Sequence, residues 1–473
     1  MRQRAADGAA WVRFRMDTLS RRHFMQRASA ISLGFAGLSS GIASRGIATA
    51  MEDSAGFGDL VPDPDGILDL PAGFSYSIVM RHGDRMDDGF TSPGLPDGMA
   101  AFPAGPGRCV LVRNHEIEAK HRTPRAFDGV DAEMIESVRG KLFDHGYGRP
   151  SPGGTTNLVY NTDEQRLEKS FLSITGTERN CAGGPTPWGT WLTCEESVSK
   201  KDDDTFEKDH GWVFEVPALT EPGLAEPVPI KAMGRFNHEA VAVSPGGNVY
   251  QTEDRHDGLL YRYVPNTPGQ LRNGGRLQML VVKGKPSLDT RNWEGTTVKI
   301  GEIFDCEWLD IEEVESPGDT LRTEGFAAGA ARFARGEGMW AGSDGVYFCC
   351  TNGGKAKAGQ IFRLKFDGSH GDAERVTLEL FIQPDDRSVL ENADNVTVAP
   401  SGPLDGHLVV CEDGSGDQFL VLVSPKGECS KLARNAISSS EFAGAAFSPD
   451  GSTLFVNIQK DGLTLAITGP WGA

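Results

Sequence analysis

The sequence lacks the excess of basic residues that a nucleic-acid-binding protein needs. It has 47 Lys and Arg against 66 Asp and Glu among its 473 residues, which gives a formal net charge of −19. Nucleic acids are bound through a basic face, so we expect no nucleic-acid partner. The acidic balance suits a protein that holds cations.

Several common catalytic motifs are also missing. After residue 50 the chain has no G-x-S-x-G turn, and it has no Walker A loop, H-E-x-x-H helix or C-x-x-C pair anywhere. Serine hydrolases and nucleotide-binding proteins are therefore not indicated. The eight cysteines are scattered, and several lie in apolar segments where a buried free thiol is the default. We predict no disulfide framework.

The sequence has no long hydrophobic run after residue 50. The first 50 residues contain one candidate, and it is only weakly apolar. The twin arginine of Ser20–Met25 precedes the apolar run Ala28–Ala43 and the small residues Ala48–Ala50. This order predicts that residues 1–50 are a twin-arginine signal peptide, with the export machinery as partner. The mature protein, 51–473, would be periplasmic or secreted with no transmembrane anchor. A short buried or membrane helix is the alternative, although glycines interrupt the run and it is too short to span.

The rest of the chain reads as short strands separated by turns. It contains 59 Gly and 27 Pro, which suits a fold with many turns. Three similar turns follow one apolar strand and precede another: Ser244–Gly247, Pro400–Gly402 and Ser448–Gly451. Their spacing fits propeller blades of about 40–50 residues. We therefore predict an all-β fold, a single β-propeller over 51–473 with small helical insertions such as 132–138. A pair of β-sandwiches is the alternative.

Acidic residues follow several of these strands. They occur as pairs in Glu195-Glu196, Glu253-Asp254 and Glu412-Asp413, and singly in Asn237-His238-Glu239 and Asn114-His115-Glu116. In a propeller, equivalent strands of successive blades surround one axis, so these strand ends would meet at one mouth. Carboxylates that share a pocket repel each other, and bound cations such as Ca²⁺ relieve the repulsion. Solvated loops are the alternative for any single pair.

Two further segments fit a phosphate site. The residues Gly153–Asn157 form a predicted small-residue turn whose backbone approaches an anion closely. In an extended segment Arg335 and Glu337 lie on one face, the first able to clamp a phosphate and the second a metal. An ordinary glycine turn and a surface ion pair are the respective alternatives.

The chain resembles the PhoX-type bacterial alkaline phosphatases over nearly all of its mature length. The most specific block is 180–196, which reads NCAGGPTPWGTWLTCEE. The resemblance continues through the segments 237–239, 252–255, 257–263, 335–338, 391–395, 441–444 and 467–471. It implies a six-bladed, periplasmic propeller that hydrolyses phosphate monoesters with Ca²⁺ and Fe³⁺.

The resemblance also implies roles for individual residues. Cys181 would be a thiolate ligand of iron, and Arg335 and Asn157 would hold the phosphate. Five carboxylates would also be metal ligands: Glu195, Glu196, Glu239, Glu337 and Asp394. Two other functions stay open: a calcium-dependent propeller lactonase or phosphotriesterase, and a non-catalytic periplasmic calcium-binding propeller.

Overall fold

A computed structural model describes residues 56–472, which belong to one compact unit. The predicted signal peptide, 1–50, lies outside the described residues. Within them the structure is almost entirely β, as predicted. The first strands are β1 (Leu60–Val61), β2 (Leu68–Pro71), β3 (Ser75–Arg81), β4 (Pro96–Pro103), β5 (Arg108–His115), β6 (Gly153–Asn161), β7 (Arg166–Thr177), β8 (Asn180–Pro185), β9 (Thr190–Glu195), β10 (Val213–Pro217), β11 (His238–Val243), β12 (Val249–Glu253), β13 (Gly258–Pro265) and β14 (Gly275–Val282). The remaining strands are β15 (Ile303–Asp310), β16 (Arg332–Phe333), β17 (Gly336–Gly342), β18 (Gly345–Cys350), β19 (Gln360–Phe366), β20 (Val376–Ile382), β21 (Ala393–Val398), β22 (Leu408–Glu412), β23 (Phe419–Val423), β24 (Cys429–Asn435), β25 (Phe442–Phe447), β26 (Thr453–Ile458) and β27 (Leu463–Thr468).

Helices are short and lie between strands. The α-helices of the described part of the chain are α1 (Ala132–Ser137) and α2 (Leu321–Ala328). The 3₁₀ turns there are Arg139–Lys141, Lys231–Met233, Leu271–Asn273 and Gly371–Ala373. The helical insertion predicted near residue 132 is thus present as α1. None of the helices in 56–472 has the length and apolar character needed to cross a membrane.

The strands form antiparallel sheets in a propeller-like arrangement. The sheets run β4-β5-β6-β7, β8-β9-β10, β21-β22-β23-β24-β2-β1 and β25-β26-β27-β3, and a longer one runs β11-β12-β13-β14-β15-β20-β19-β18-β17, with β16 beside β13. The innermost strands contact one another in the closed order β4, β8, β11, β17, β21, β25 and back to β4. The strand β3 pairs with β27, so an early and a late segment of the chain complete one sheet.

Apolar residues on both faces of the strands hold the sheets together. The strands β22 and β23 read LVVCE and FLVLV, and nearly every residue in them is buried. Such continuous apolar runs are typical of strands covered on both sides. Leu420, Leu454 and Ile467 belong to one of several apolar clusters. At two predicted turns, Gly247 and Gly451 donate to the carbonyls of Ser244 and Ser448 with positive φ, as the turn residues predict.

The cysteines do not form disulfides. All eight lie within the described residues as free thiols, six of them buried. This agrees with the absence of a disulfide pattern in the sequence. The thiol of Cys181 is therefore available as a ligand.

Candidate metal centre

Each innermost strand has a β-bulge near its first residue. The pairing register shifts between Pro96 and Met99 in β4, and at the same place in β8, β11, β17, β21 and β25. Two residues of the inner strand then oppose one residue of its neighbour, which re-aims the side chains. The first residues of the bulges are Asp97, Cys181, Glu239, Glu337, Asp394 and Gly444. Five of the strands thus present a potential metal ligand at the same position.

Two groups of these side chains come close enough to bind cations. The ligand atoms of Cys181, Glu196 and Glu239 lie within 4.8 Å of one another, and so do those of Glu239, Glu337 and Asp394. Glu239 belongs to both groups. All are buried except Asp394, which is partly exposed. The structure therefore brings together five of the six predicted metal ligands.

The electrostatics of the two groups call for positive charge. Burial, reinforced by repulsion from Glu337, raises the pKa of Glu239 well above its usual value. Burial also raises the pKa of Cys181, and the carboxylates of Glu239 and Glu196 add to the shift. Bound cations relieve such repulsion, and a thiolate with two carboxylates fits iron, whereas the all-oxygen group fits calcium. The residues present fit a centre of two cations that share Glu239.

Arg335 lies beside the second group in a strained backbone conformation. Its φ is +54°, which is unusual for a residue other than glycine. Its Nε and Nη2 donate to the two oxygens of Asp254 at 2.7 and 2.9 Å, and Nη2 also donates to Glu337 Oε1 at 2.7 Å. The Nη1 hydrogens are not used in these bonds. The guanidinium is thus fixed at its edge, with one nitrogen left for an anionic ligand.

A second arginine, Arg179, holds the equivalent position just before the inner strand β8. It stands two residues before Cys181, as Arg335 stands two residues before Glu337, and its φ is +48°. Its Nη2 lies 2.8 Å from Glu196 Oε2, and its Nε donates to Glu116 at 2.8 Å. Sequence reasoning missed this residue, although the shared spacing from a ligand was a usable signal.

Glu195 is not at the centre, contrary to the prediction from the resemblance. Its carboxylate bonds to His210 Nδ1 at 2.7 Å and accepts hydrogen bonds from the backbone of Glu178, Gly211 and Trp212. The reason is the period of two along a strand, which turns neighbouring side chains to opposite sides. Glu196 faces the centre. The carboxylate of Glu195 points away from it, and its hydrogen bonds hold neighbouring loops to its own sheet.

The other two acidic pairs behave in the same way. Glu253 accepts from the Tyr261 hydroxyl at 2.8 Å, and Glu412 bonds Lys431 at 2.7 Å. Their successors lie nearer the centre, since Asp254 binds Arg335 and the charge of Asp413 reaches Asp394. The sequence predicted that the acidic strand ends converge, and this holds for the second residue of each pair.

Asn157 was predicted to hold the phosphate, but the structure places it away from the centre. The residues Gly153–Asn161 form strand β6, paired with β5 and β7, rather than a turn. The Asn157 Nδ2 donates to the carbonyls of Pro217 and Leu219 at 3.3 and 3.2 Å. Because β5 separates β6 from the inner-ring strand β4, the side chain secures a peripheral loop and does not reach the metal groups.

Asp97 is a further acidic residue that sequence reasoning did not single out. It occupies the bulge of β4, and Gln459 Nε2 donates to its Oδ2 at 2.6 Å and to Glu116 at 2.7 Å. Burial and the charge of Glu116 raise the pKa of Asp97 well above its usual value. Burial and Asp413 do the same for Glu441. Only the bulge, which is a property of strand pairing, reveals that Asp97 is equivalent to Glu239.

Together these features define a propeller-like protein whose inner strands bring together acidic residues and one thiol that could bind metal ions. The sequence matches the family described as alkaline phosphatase PhoX over residues 55–462. The chain belongs to the alkaline phosphatase PhoX family, and this membership supports a phosphatase.

One solved structure supports the fold. The chain is similar to Pseudomonas fluorescens PhoX, determined in complex with vanadate, a transition state analogue, with 18% identity and a TM-score of 0.62. That match covers 86% of this chain and 97% of the other. A weaker match is the β-propeller domain of Cps50 (Swd1) from Myceliophteria thermophila, with 8% identity, a TM-score of 0.37 and coverage of 79% and 99%. No curated protein sequence matches the chain.

Proposed function

We propose that this protein is a metal-dependent phosphomonoesterase that releases inorganic phosphate from small phosphate esters. The observation that carries the proposal is the pair of ligand groups that share Glu239, with Arg335 fixed beside them. Family membership supports the same reaction class. The cation content, the substrate and the cellular location are parts of the proposal.

Iron and calcium are the cations we assign to the two groups. Cys181, Glu196 and Glu239 would hold Fe³⁺, because the set includes a sulfur ligand, and Glu239, Glu337 and Asp394 would hold Ca²⁺. When bound, these ions supply Lewis-acid chemistry to the phosphoryl oxygens. Arg179 and Asn237 steady the first group, since both donate to the Glu196 carboxylate, at 2.8 and 2.9 Å.

The chain contributes substrate orientation and fixed positive charge. The unused Nη1 of Arg335 would donate to a non-bridging phosphoryl oxygen, while Asp254 and Glu337 prevent the guanidinium from turning. In the overall reaction, the oxygen of a water molecule forms a new bond to phosphorus and the bond from phosphorus to the ester oxygen breaks. The departing alkoxide takes up a proton and leaves as an alcohol.

We also propose six blades and a periplasmic location. Six inner strands in a closed ring, each with a bulge at the same place, support the blade count. The twin arginine at Arg21 and Arg22 supports export of the folded protein. Mass spectrometry of the mature N-terminus in a periplasmic fraction would test the export step, with a start near Met51 as the expected result.

The activity is tested with p-nitrophenyl phosphate and a Glu239→Gln variant. Because Glu239 belongs to both ligand groups, this single substitution removes one carboxylate from each and should lower kcat/KM by about 10³-fold or more. The control Glu294→Gln, at an exposed residue, should behave as the wild type. Turnover unaffected by Glu239→Gln would contradict the proposal. Activity only on lactones or phosphotriesters with calcium alone would favour the alternative hydrolase. A melting temperature that depends on metal, with no ester turnover, would favour a structural calcium-binding propeller.

A further inference from the structure

A basic segment stands beside the metal centre of this acidic protein. The insertion between β5 and β6 contains residues 119–125, which read AKHRTPR and carry three cations, a histidine and no acid. The whole chain has a net charge of −19. A local excess of positive charge in such a chain points to an anionic ligand rather than to a general surface property.

Two adjoining cavities border this segment. The near cavity, ≈ 510 Å³, is lined by the cations Arg122, Arg179 and Lys460 and by two acids, Glu116 and Glu118, which both pair with Arg179. The far cavity, ≈ 840 Å³, is lined by Arg122, Arg125 and Arg149 and also by one acid, Asp128. His121–Pro124 line both, so the two are continuous along the segment. We call them together the basic groove.

Some cations of the groove form hydrogen bonds that stabilise the fold, and others form none. The guanidinium of Arg125 donates to the carbonyls of Ala119 and His121 at 2.7 and 3.1 Å, which holds the segment in shape. In contrast, Arg122 and Arg149 are exposed and make no side-chain hydrogen bond or ion pair with any residue of 56–472. Lys460 likewise has no carboxylate within ion-pair distance among them. Unpaired cations in a concave site favour a bound anion.

Arg179 connects the groove to the metal groups. It lines the near cavity, and its Nη2 lies 2.8 Å from Glu196 Oε2 in the first group. Arg122 lines the same cavity as Arg179 and also lines the far cavity.

We propose that the basic groove binds a second phosphate group carried by the leaving group of the substrate. The preferred substrates would then be small bisphosphates rather than esters of neutral alcohols. This inference rests on the proposed function, since it assigns a substrate class to the same centre. The guanidinium groups of Arg122 and Arg149 are the residues we expect to bind the second phosphate.

The test compares fructose 1,6-bisphosphate with fructose 6-phosphate, using phosphate release by the metal-loaded protein. The wild type should show a KM about tenfold lower for the bisphosphate, since one charge-assisted contact of about 1.4 kcal/mol gives that factor. The double variant Arg122→Gln/Arg149→Gln should lose this preference. The control Arg375→Gln, an exposed arginine outside both cavities, should keep it. A preference that survives in the double variant, or is absent from the wild type, would overturn the inference.

Calorimetric binding of fructose 1,6-bisphosphate separates this inference from the proposed function. If the protein binds the bisphosphate through Arg122 and Arg149 but releases no phosphate, the groove is upheld and the phosphatase proposal fails. If the protein turns over both esters while binding is the same in the wild type and the double variant, the groove is refuted and the phosphatase proposal stands.

Discussion

The most informative single substitution outside the metal ligands is Asp254→Asn. Asp254 holds Arg335 by a two-bond fork of 2.7 and 2.9 Å, and asparagine keeps at most one of these bonds. Loss of a charge-assisted bond of about 1.5–3 kcal/mol should release the guanidinium, which corresponds to a drop in kcat/KM of about 10- to 100-fold. Misplacement of a clamp by about 1 Å costs a similar factor.

The effect on folding should be smaller than for an ordinary buried ion pair. Burial alone would raise the pKa of Asp254, but the bonds from Arg335 outweigh it and keep the pKa low. The same charge repels Glu196 and Glu337. Its removal therefore relieves some repulsion, and the unfolding free energy should fall by less than the about 3–5 kcal/mol typical of a broken buried pair.

The assay is a double-mutant cycle on p-nitrophenyl phosphate turnover. If Asp254 acts by orienting Arg335, then Asp254→Asn/Arg335→Ala should be no slower than Arg335→Ala alone. A matched control is Asp257→Asn, because Asp257 pairs with Arg322 at 3.1 Å instead. Independent, multiplicative losses in the double variant, or wild-type kcat/KM in Asp254→Asn, would refute the orienting role.

Three other predictions concern stability. Gly444→Ala should lower the unfolding free energy by about 2 kcal/mol or more, because its φ is +62° and a Cβ would lie 2.2 Å from the Asp97 carbonyl oxygen; Gly66→Ala, with φ +66° and open space, controls for the backbone strain alone. Although burial opposes its charge, the carboxylates around His210 raise its pKa from 6.5 to about 10. The contribution of charged His210 to the unfolding free energy is complete below about pH 6.5 and is lost as the pH rises toward 10. Over that range, the unfolding free energy measured with urea should therefore fall less in His210→Gln than in the wild type. Chelation should lower the melting temperature. Because burial and mutual repulsion raise the pKa values of the carboxylates at the centre, scanning calorimetry should show the chelated protein regaining stability as the pH falls toward the ordinary glutamate pKa of about 4.3.

Local sequence patterns predicted the strands and turns well. Gly247 and Gly451 stand at positions where the observed turns have positive φ, which is a local requirement that composition reveals. The convergence of acidic strand ends was also predictable, since it depends only on which residues follow each strand. These features do not require knowledge of how distant segments pair.

The errors came from properties that only strand pairing determines. The bulges make Asp97 equivalent to Glu337, and no local pattern marks the place where two residues oppose one. Glu195 and Glu196 look alike in the sequence, but the pleat sends only the second to the centre. Asn157 follows two glycines that suggested a turn, yet pairing on both sides makes the segment a strand. Arg335 and Glu337 were predicted to share one face of an extended segment, with an ion pair as the alternative. Arg335 has a left-handed backbone instead, and its guanidinium donates to Glu337.

The central claim is that Cys181 and the surrounding carboxylates hold the cations that make this protein a phosphatase. Elemental analysis of purified wild-type protein and a Cys181→Ser variant, run beside phosphomonoester turnover on the same samples, tests it directly. The account predicts iron and calcium in the wild type, and a loss of iron and of turnover together in the variant. Full turnover by an iron-free Cys181→Ser protein would contradict it.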